Sequence, residues 1–252
     1  MNYMNCFKYA FLISSSLLLT VQLSMADNVQ VSPFVLYEQS AKNIMIDGVS
    51  TKYGLGVVGL NLEKRLTNNL KISGKLGYGQ NNDQAVSFSS ANFNGQVRGS
   101  YFDIKAVQKI FQNNTLNLNA EVHFINRELK APDLTGARNG LALTGDTNTF
   151  FNSSDIKLGA EFNISPTSII KLYAGISQWH LNAKATAYYA FNGITASAKK
   201  NINTIGQDPV FEAALISNIA DHSFELLASS RSLRSKANTD VLTAQITYLF
   251  AF

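Results

Sequence analysis

TLNLNAEVHF, residues 115–124, sets Leu116, Leu118, Ala120, Val122 and Phe124 on one parity and Asn117, Asn119, Glu121 and His123 on the other. A period of two defines a β-strand with one apolar and one polar face. In a soluble sheet the apolar face would be covered and the polar face would meet water. In a barrel that crosses a bilayer the roles exchange: the apolar face meets lipid and the polar one lines the interior. Alternation alone fits both arrangements, so the rest of the chain has to separate them.

Ten stretches alternate in this way: 29–37, 58–62, 70–78, 102–106, 116–124, 156–162, 170–176, 211–215, 224–228 and 244–252. The connections between them alternate as well. KRLTNN (64–69), KIFQNN (109–114), SPTS (165–168) and ADHS (220–223) are tight, whereas QNNDQAVSFSSANFNGQ (80–96), ELKAPDLTGARNGLALTGDTNTF (128–150) and AKATAYYAFNGITASAKK (183–200) are long. An even strand count with short turns at one end and long loops at the other predicts an all-β fold. It is a transmembrane up-and-down antiparallel β-barrel of about ten strands, with periplasmic turns and extracellular loops. The third long segment itself alternates, so its two strands are expected to continue beyond the bilayer as a ribbon carrying Tyr188, Tyr189 and Phe191 near its tip.

Two favoured hairpin dipeptides set registers. Asp47-Gly48 places Val35 opposite Leu60 and Tyr37 opposite Val58. Asn192-Gly193 places Ile170 opposite Leu215, Leu172 opposite Ala213 and Ala174 opposite Phe211, with Gly206 and Pro209 allowing a bulge. Both registers keep apolar residues on a shared face, which a one-residue slip would not.

The first residues carry Lys8, an apolar run from about Ala10 to Val21, and Ser24-Met25-Ala26. This predicts an export signal peptide over 1–26 and a barrel over 27–252. Cys6, the single cysteine, leaves with that leader, so neither disulfide nor thiolate chemistry is expected in the mature chain. Of the 252 residues, 46% are hydrophobic and 15% charged, with a formal charge of +4. A charge this near balance gives no reason to expect nucleic acid as a partner.

The end of the chain, AQITYLFAF (244–252), alternates up to the last residue. Ile246, Tyr248, Phe250 and Phe252 resemble the C-terminal signature of bacterial outer-membrane β-barrel proteins, with Thr247 standing where a glycine is common. That resemblance implies recognition by the barrel-assembly machinery, a monomeric protein in the outer membrane of a Gram-negative cell, and a surrounding of lipid and lipopolysaccharide.

Inward parity collects eight carboxylates (Glu38, Glu63, Asp103, Glu121, Asp155, Glu161, Glu212, Glu225) against seven cations (Lys71, Lys75, Lys105, Arg127, Lys157, Lys171, Arg231). Near-equality of sign favours mutual pairing in a narrow interior over a selectivity filter. Lys75 is expected opposite Asp103, and Glu161 opposite Lys171. Gly59, Gly77, Gly79, Gly159 and Gly175 would leave room inside. The three histidines, His123, His180 and His222, fall far apart in sequence. No catalytic residues, metal site or cofactor are therefore expected, and the chain reads as a structural surface barrel or narrow passive pore. The alternative is a barrel enzyme with a site at the extracellular rim, of the kind found in omptin proteases or lipid hydrolases.

Overall fold

The computed structural model describes residues 29–52, 54–88, 91–138, 141–191, 194–219 and 222–250. The expected leader over 1–26 and the terminal Phe252 lie outside them. The strands are β1 (Val29–Ser40), β2 (Ile44–Ile46), β3 (Val49–Lys52), β4 (Gly54–Arg65), β5 (Leu70–Phe88) and β6 (Ala91–Gln112). They continue with β7 (Leu116–Arg138), β8 (Leu141–Ser165), β9 (Ser168–Phe191), β10 (Ile194–Ile219), β11 (His222–Ser232) and β12 (Asp240–Phe250), with one helical turn, α1 (Arg234–Ala237), before the last.

All pairings are antiparallel, and β1 is hydrogen-bonded to both β4 and β12 while β5 is bonded to both β4 and β6. Among the described residues, ten strands (β1 and β4–β12) are therefore each paired on both sides. At the level of the short strands the ring has no open edge, whereas residues 194–209 of β10 rise above β11 and are laddered on the β9 side only. The tight ends follow from local chemistry. The Asn113 side chain, for example, accepts from the backbone N–H of Thr115 at 2.9 Å and of Leu116 at 2.7 Å, closing the β6–β7 turn.

The β9–β10 register is the one set by Asn192-Gly193, with Ile170 opposite Leu215 and Ala174 opposite Phe211, and it runs without a bulge past Gly206 and Pro209. The first hairpin differs. Ile46 pairs with Val49 as expected, and Asp47 and Gly48 hold φ of 49° and 78°, which a primed turn requires. Below it, Val35 meets Val58 rather than Leu60, and Tyr37 meets Gly56. The two-residue shift arises because β3 departs from the β1–β4 ladder and pairs with β5, Ser50 facing Ser87. A shift of two preserves facing, so the apolar pattern does not oppose it.

The segments 80–96 and 128–150, expected as loops, are largely strand: they continue β5–β6 and β7–β8 upward as 183–200 continues β9–β10. Their Asn, Ser and Gly content disfavours strand locally, but each extension has a paired neighbour on the next hairpin. The result is lopsided. β6–β10 run 22–26 residues, twice the 11–12 of β1, β4, β11 and β12.

Polarity inverts along the tall strands. On β7 the outward residues Leu118, Val122 and Phe124 are exposed, and the outward residues above them are Asn126, Glu128 and Lys130. Inward, buried Asn119, Glu121 and His123 give way to buried Leu129, Ala131 and Leu134. The same exchange occurs on β9, where Leu172 and Ile176 face outward below Gln178 and His180, while buried Trp179 and Ala185 lie inward above Ser177. The lower half is thus built inside out, and the upper half has an ordinary apolar core. Their border carries an outward polar collar in which Asn126 bonds Asn152 at 2.6 Å and His180 bonds Asn203 at 2.5 Å.

The interior glycines do not leave room. Tyr173 lies directly across from Gly159 and its ring covers the place a Cβ would occupy, just as the Phe34 ring closes over Gly59 and Gly77. Aromatic rings over cross-strand glycines fill the narrow interior.

Candidate functional site

Alternation turns one side chain in two inward from every wall of the ring, and these meet in layers. Nearest the short turns, Lys71 pairs with Glu63 at 3.0 Å and Lys171 with Glu225 at 3.2 Å. Glu161 faces Lys171 across the β8–β9 ladder, as expected, but accepts from the Tyr173 hydroxyl at 3.2 Å, while Lys171 reaches to β11. Parity predicts facing, and side-chain length then selects among several partners.

The next layer centres on Lys157, whose ammonium lies 2.5 Å from Glu121 and 2.7 Å from Glu212. Lys105 stands 3.7 Å and 3.8 Å from the same two carboxylates. Above it, Lys75 donates to Gln245 at 3.0 Å and stands 3.7 Å from Asp103, its cross-strand partner. Tyr101 donates to Asp103 at 3.0 Å, and Arg231 holds Asp155 at 2.5 Å and Ser177 at 3.1 Å. The top layer is a bidentate pair in which the Arg127 guanidinium grips Glu38 from the opposite wall while stacking on the Tyr101 ring. Buried charges tolerate low dielectric only when paired in this way.

Two cavities flank that top layer. Below it is a polar chamber of about 30 Å³ lined by Asp103, Lys105, His123, Lys157 and Glu212. Above it is an apolar vestibule of about 120 Å³. Glu38, Arg127 and Arg231 border both and so form the partition.

The three histidines do lie apart, but the expectation that no enzyme-like arrangement forms is overturned by the groups around His123. Its ring is buried among Asp103, Glu121 and Asp155, with Nε2 3.1 Å from Asp103 and Nδ1 4.0 Å and 3.8 Å from the other two. Among the described residues neither nitrogen has an aligned hydrogen-bond partner. Ligand atoms of Glu121, His123 and Glu212 lie within 4.8 Å of one another, a set able to move protons or hold a cation. Glu121 and His123 are two apart on one strand, a signal open to sequence reading; Glu212 arrives only through closure of the interior. A dication among these groups would have to displace the Lys157 ammonium, which already bridges the two glutamates.

Of the expected assembly residues, Ile246 faces outward between Val35 and Leu226, and the Tyr248 hydroxyl contacts His222 Nδ1. Sequence reading did not find Asp208, which accepts from Trp179 Nε1 at 2.8 Å and from the Ser235 hydroxyl at 2.5 Å, fastening α1 to β10. Nor did it find the vestibule, part of whose wall (Leu129, Thr147 and Thr149) comes from a segment expected as a loop.

No protein-family model matches the sequence, and no curated protein matches it. Among solved structures, the chain is similar to the translocator domain of autotransporter NalP from Neisseria meningitidis, at 10% identity over 97% of each chain and a TM-score of 0.51. It is also similar to the outer membrane protease OmpT from Escherichia coli, at 8% identity over 91% of this chain and 99% of that one, with a TM-score of 0.49. The beta domain of the Bordetella autotransporter BrkA gives 11% identity over 88% and 100% and a TM-score of 0.49. The fold is that of bacterial outer-membrane β-barrel proteins.

Proposed function

We propose that this chain is a ten-stranded transmembrane barrel. Its short turns lie in the periplasm, its tall β5–β10 wall stands outside the cell, and its interior is closed at bilayer level by ion pairs. It works as a cell-surface protein and does not conduct. The observation that carries this reading is the inversion of polarity along β7 and β9, which supplies an apolar outer belt below a polar collar. Export of the mature chain 27–252 and its insertion by the assembly machinery belong to the same reading. Planar bilayers doped with refolded protein are expected to show no steady conductance; a stable channel would refute the closed interior.

A second reading, a membrane hydrolase acting on peptide or ester bonds, is supported by one observation: the acid–histidine set in the chamber beneath the vestibule. Substrate would reach it only past the Arg127–Glu38 partition. Hydrolysis of a fluorogenic peptide or a nitrophenyl ester by refolded protein, abolished in His123→Phe, is the result this reading requires.

A further inference from the structure

The apolar vestibule above the partition has a built polarity. Register stacks three inward layers on the tall wall. Arg127, Phe151 and Leu181 form the first; Leu129, Thr149, Ala183 and Ile202 the second; Ala131, Thr147, Ala185 and Lys200 the third. The opposite side is closed by Ile46, Val49 and Leu233, so the small hairpin β2–β3 and the segment before α1 complete the wall. The cavity's floor is charged, its middle apolar, and its rim cationic.

Charge separates possible occupants. The lining holds four cations (Arg127, Lys184, Arg231 and Lys200) and a single carboxylate, Glu38. The two arginines are engaged by Glu38 and Asp155. Lys200 lines the cavity from the inward face of β10, is half-buried, and has no ion pair among the described residues. The cavity, about 120 Å³, is a little smaller than the apolar cavity of about 150 Å³ that takes up benzene, so it encloses only a short stretch of an alkyl chain and leaves the head group at the rim beside Lys200. From these we infer that the vestibule is a binding site for a small monoanionic amphiphile, a medium-chain fatty acid, whose carboxylate meets Lys200 and the Thr147 and Thr149 hydroxyls while its chain lies against Leu129, Phe151 and Ile202.

The neutral alternative, an uncharged hydrocarbon, leaves Lys200 at an apolar rim without a counter-charge. A cationic amphiphile would set like charges together. The site stands whichever reading of the polar chamber holds. It uses the outward seating proposed above only for the side from which the ligand enters.

The test uses the mature chain refolded in lipid nanodiscs, where both faces meet solvent and orientation drops out. Octanoate, 1-octanol and octyltrimethylammonium are titrated calorimetrically against wild type, Lys200→Met and two space-filling variants, Ala185→Trp and Val97→Trp. Folding of each is checked by its heat-modifiable mobility, so a misfolded filler is recognised and the other used. Saturable one-to-one binding of octanoate is expected, weakened about tenfold by Lys200→Met, the factor that about 1.4 kcal/mol represents, and lost when the cavity is filled. Octanol should bind more weakly than octanoate and the ammonium amphiphile not at all. Uptake that neither saturates nor differs between wild type and the filled variants is partition into lipid only, and overturns the site. Equal binding of the neutral or cationic probe overturns the anionic class. Conductance in bilayers, which tests the closed-barrel reading, is measured separately and has no bearing on this result.

Discussion

Arg127 of β7 and Glu38 of β1 are joined across the width of the ring, Nε donating to Oε2 at 2.6 Å. Their strands are four ladder steps apart in one direction and six in the other, so this single pair spans the interior. Arg127→Met takes the bidentate cation away from the buried Glu38 carboxylate, to which Thr243 still donates at 3.2 Å. A loss of about 3–5 kcal/mol is expected on breaking such a pair from one side. Replacing both residues by leucine should recover most of that loss. Urea unfolding in lipid vesicles measures both, and equal stability of the single variant and wild type would mean the interior is wet.

The outer belt makes a prediction about lipid. Leu118→Arg should cost about 2–4 kcal/mol near the bilayer midplane and Asn126→Arg about 0–1 kcal/mol at the collar. Asn119, although polar, is no neutral control, because it is buried and donates to the Tyr173 hydroxyl at 2.9 Å. Equal penalties at 118 and 126 in a refolding titration would reverse the assignment of faces.

Gly159→Val pushes a branched side chain into the Tyr173 ring, whose Cδ1 lies 2.2 Å from where a Cβ would stand. Overpacking of this kind costs about 1–3 kcal/mol. The companion Tyr173→Ala should restore space and make the valine tolerable. A double variant no better than the sum of the two singles would show that ring and glycine are not coupled.

At the tip of the β9–β10 ribbon, Tyr188 donates to Asp146 at 2.8 Å, and this hydrogen bond with the neighbouring carboxylate's charge holds the phenol protonated above its ordinary range. The sign is that of a raised acid: the bond favours the neutral phenol, so ionisation is delayed as pH rises. Asp146→Asn should bring the Tyr188 titration down toward that of a free tyrosine, followed by NMR of a ring-labelled sample. An unchanged midpoint would place the two side chains apart.

Assembly gives the last test. Ile246 and Tyr248 lie on β12, the strand that joins β11 to β1. Deleting Phe252 should leave protein in the periplasm and remove the heat-modifiable form from membranes. Normal amounts of inserted protein would exclude these residues as the assembly signal.

How much of this was legible follows one rule, that parity is local and partnership is not. The inward placing of Lys75, Glu121 and Glu212 could be read from alternation, and the β9–β10 ladder from one Asn-Gly. Lys157 faces Glu121 across the β7–β8 ladder, but its second partner, Glu212, lies 55 residues further along the chain on β10, two ladders away, where alternation alone does not name a partner. The loop reading of 80–96 and 128–150 rested on their place between alternating stretches, and paired neighbours make strand of them despite their Asn, Ser and Gly content. Phe93, Leu134 and Leu143, buried in those segments, were the signal that could have been weighed more heavily.

The height difference between the two sides of the ring also bears on how the molecule would look from outside a living cell. A protease added to intact bacteria usually cuts surface loops and so maps them, because an enzyme active site needs several residues of free, unpaired backbone. Here residues 128–130 and 183–189 are hydrogen-bonded into ladders on both sides. On the seating proposed above, shaving would therefore leave these ranges intact, and a topology map drawn from the missing cuts would assign to the membrane a stretch of chain held above it.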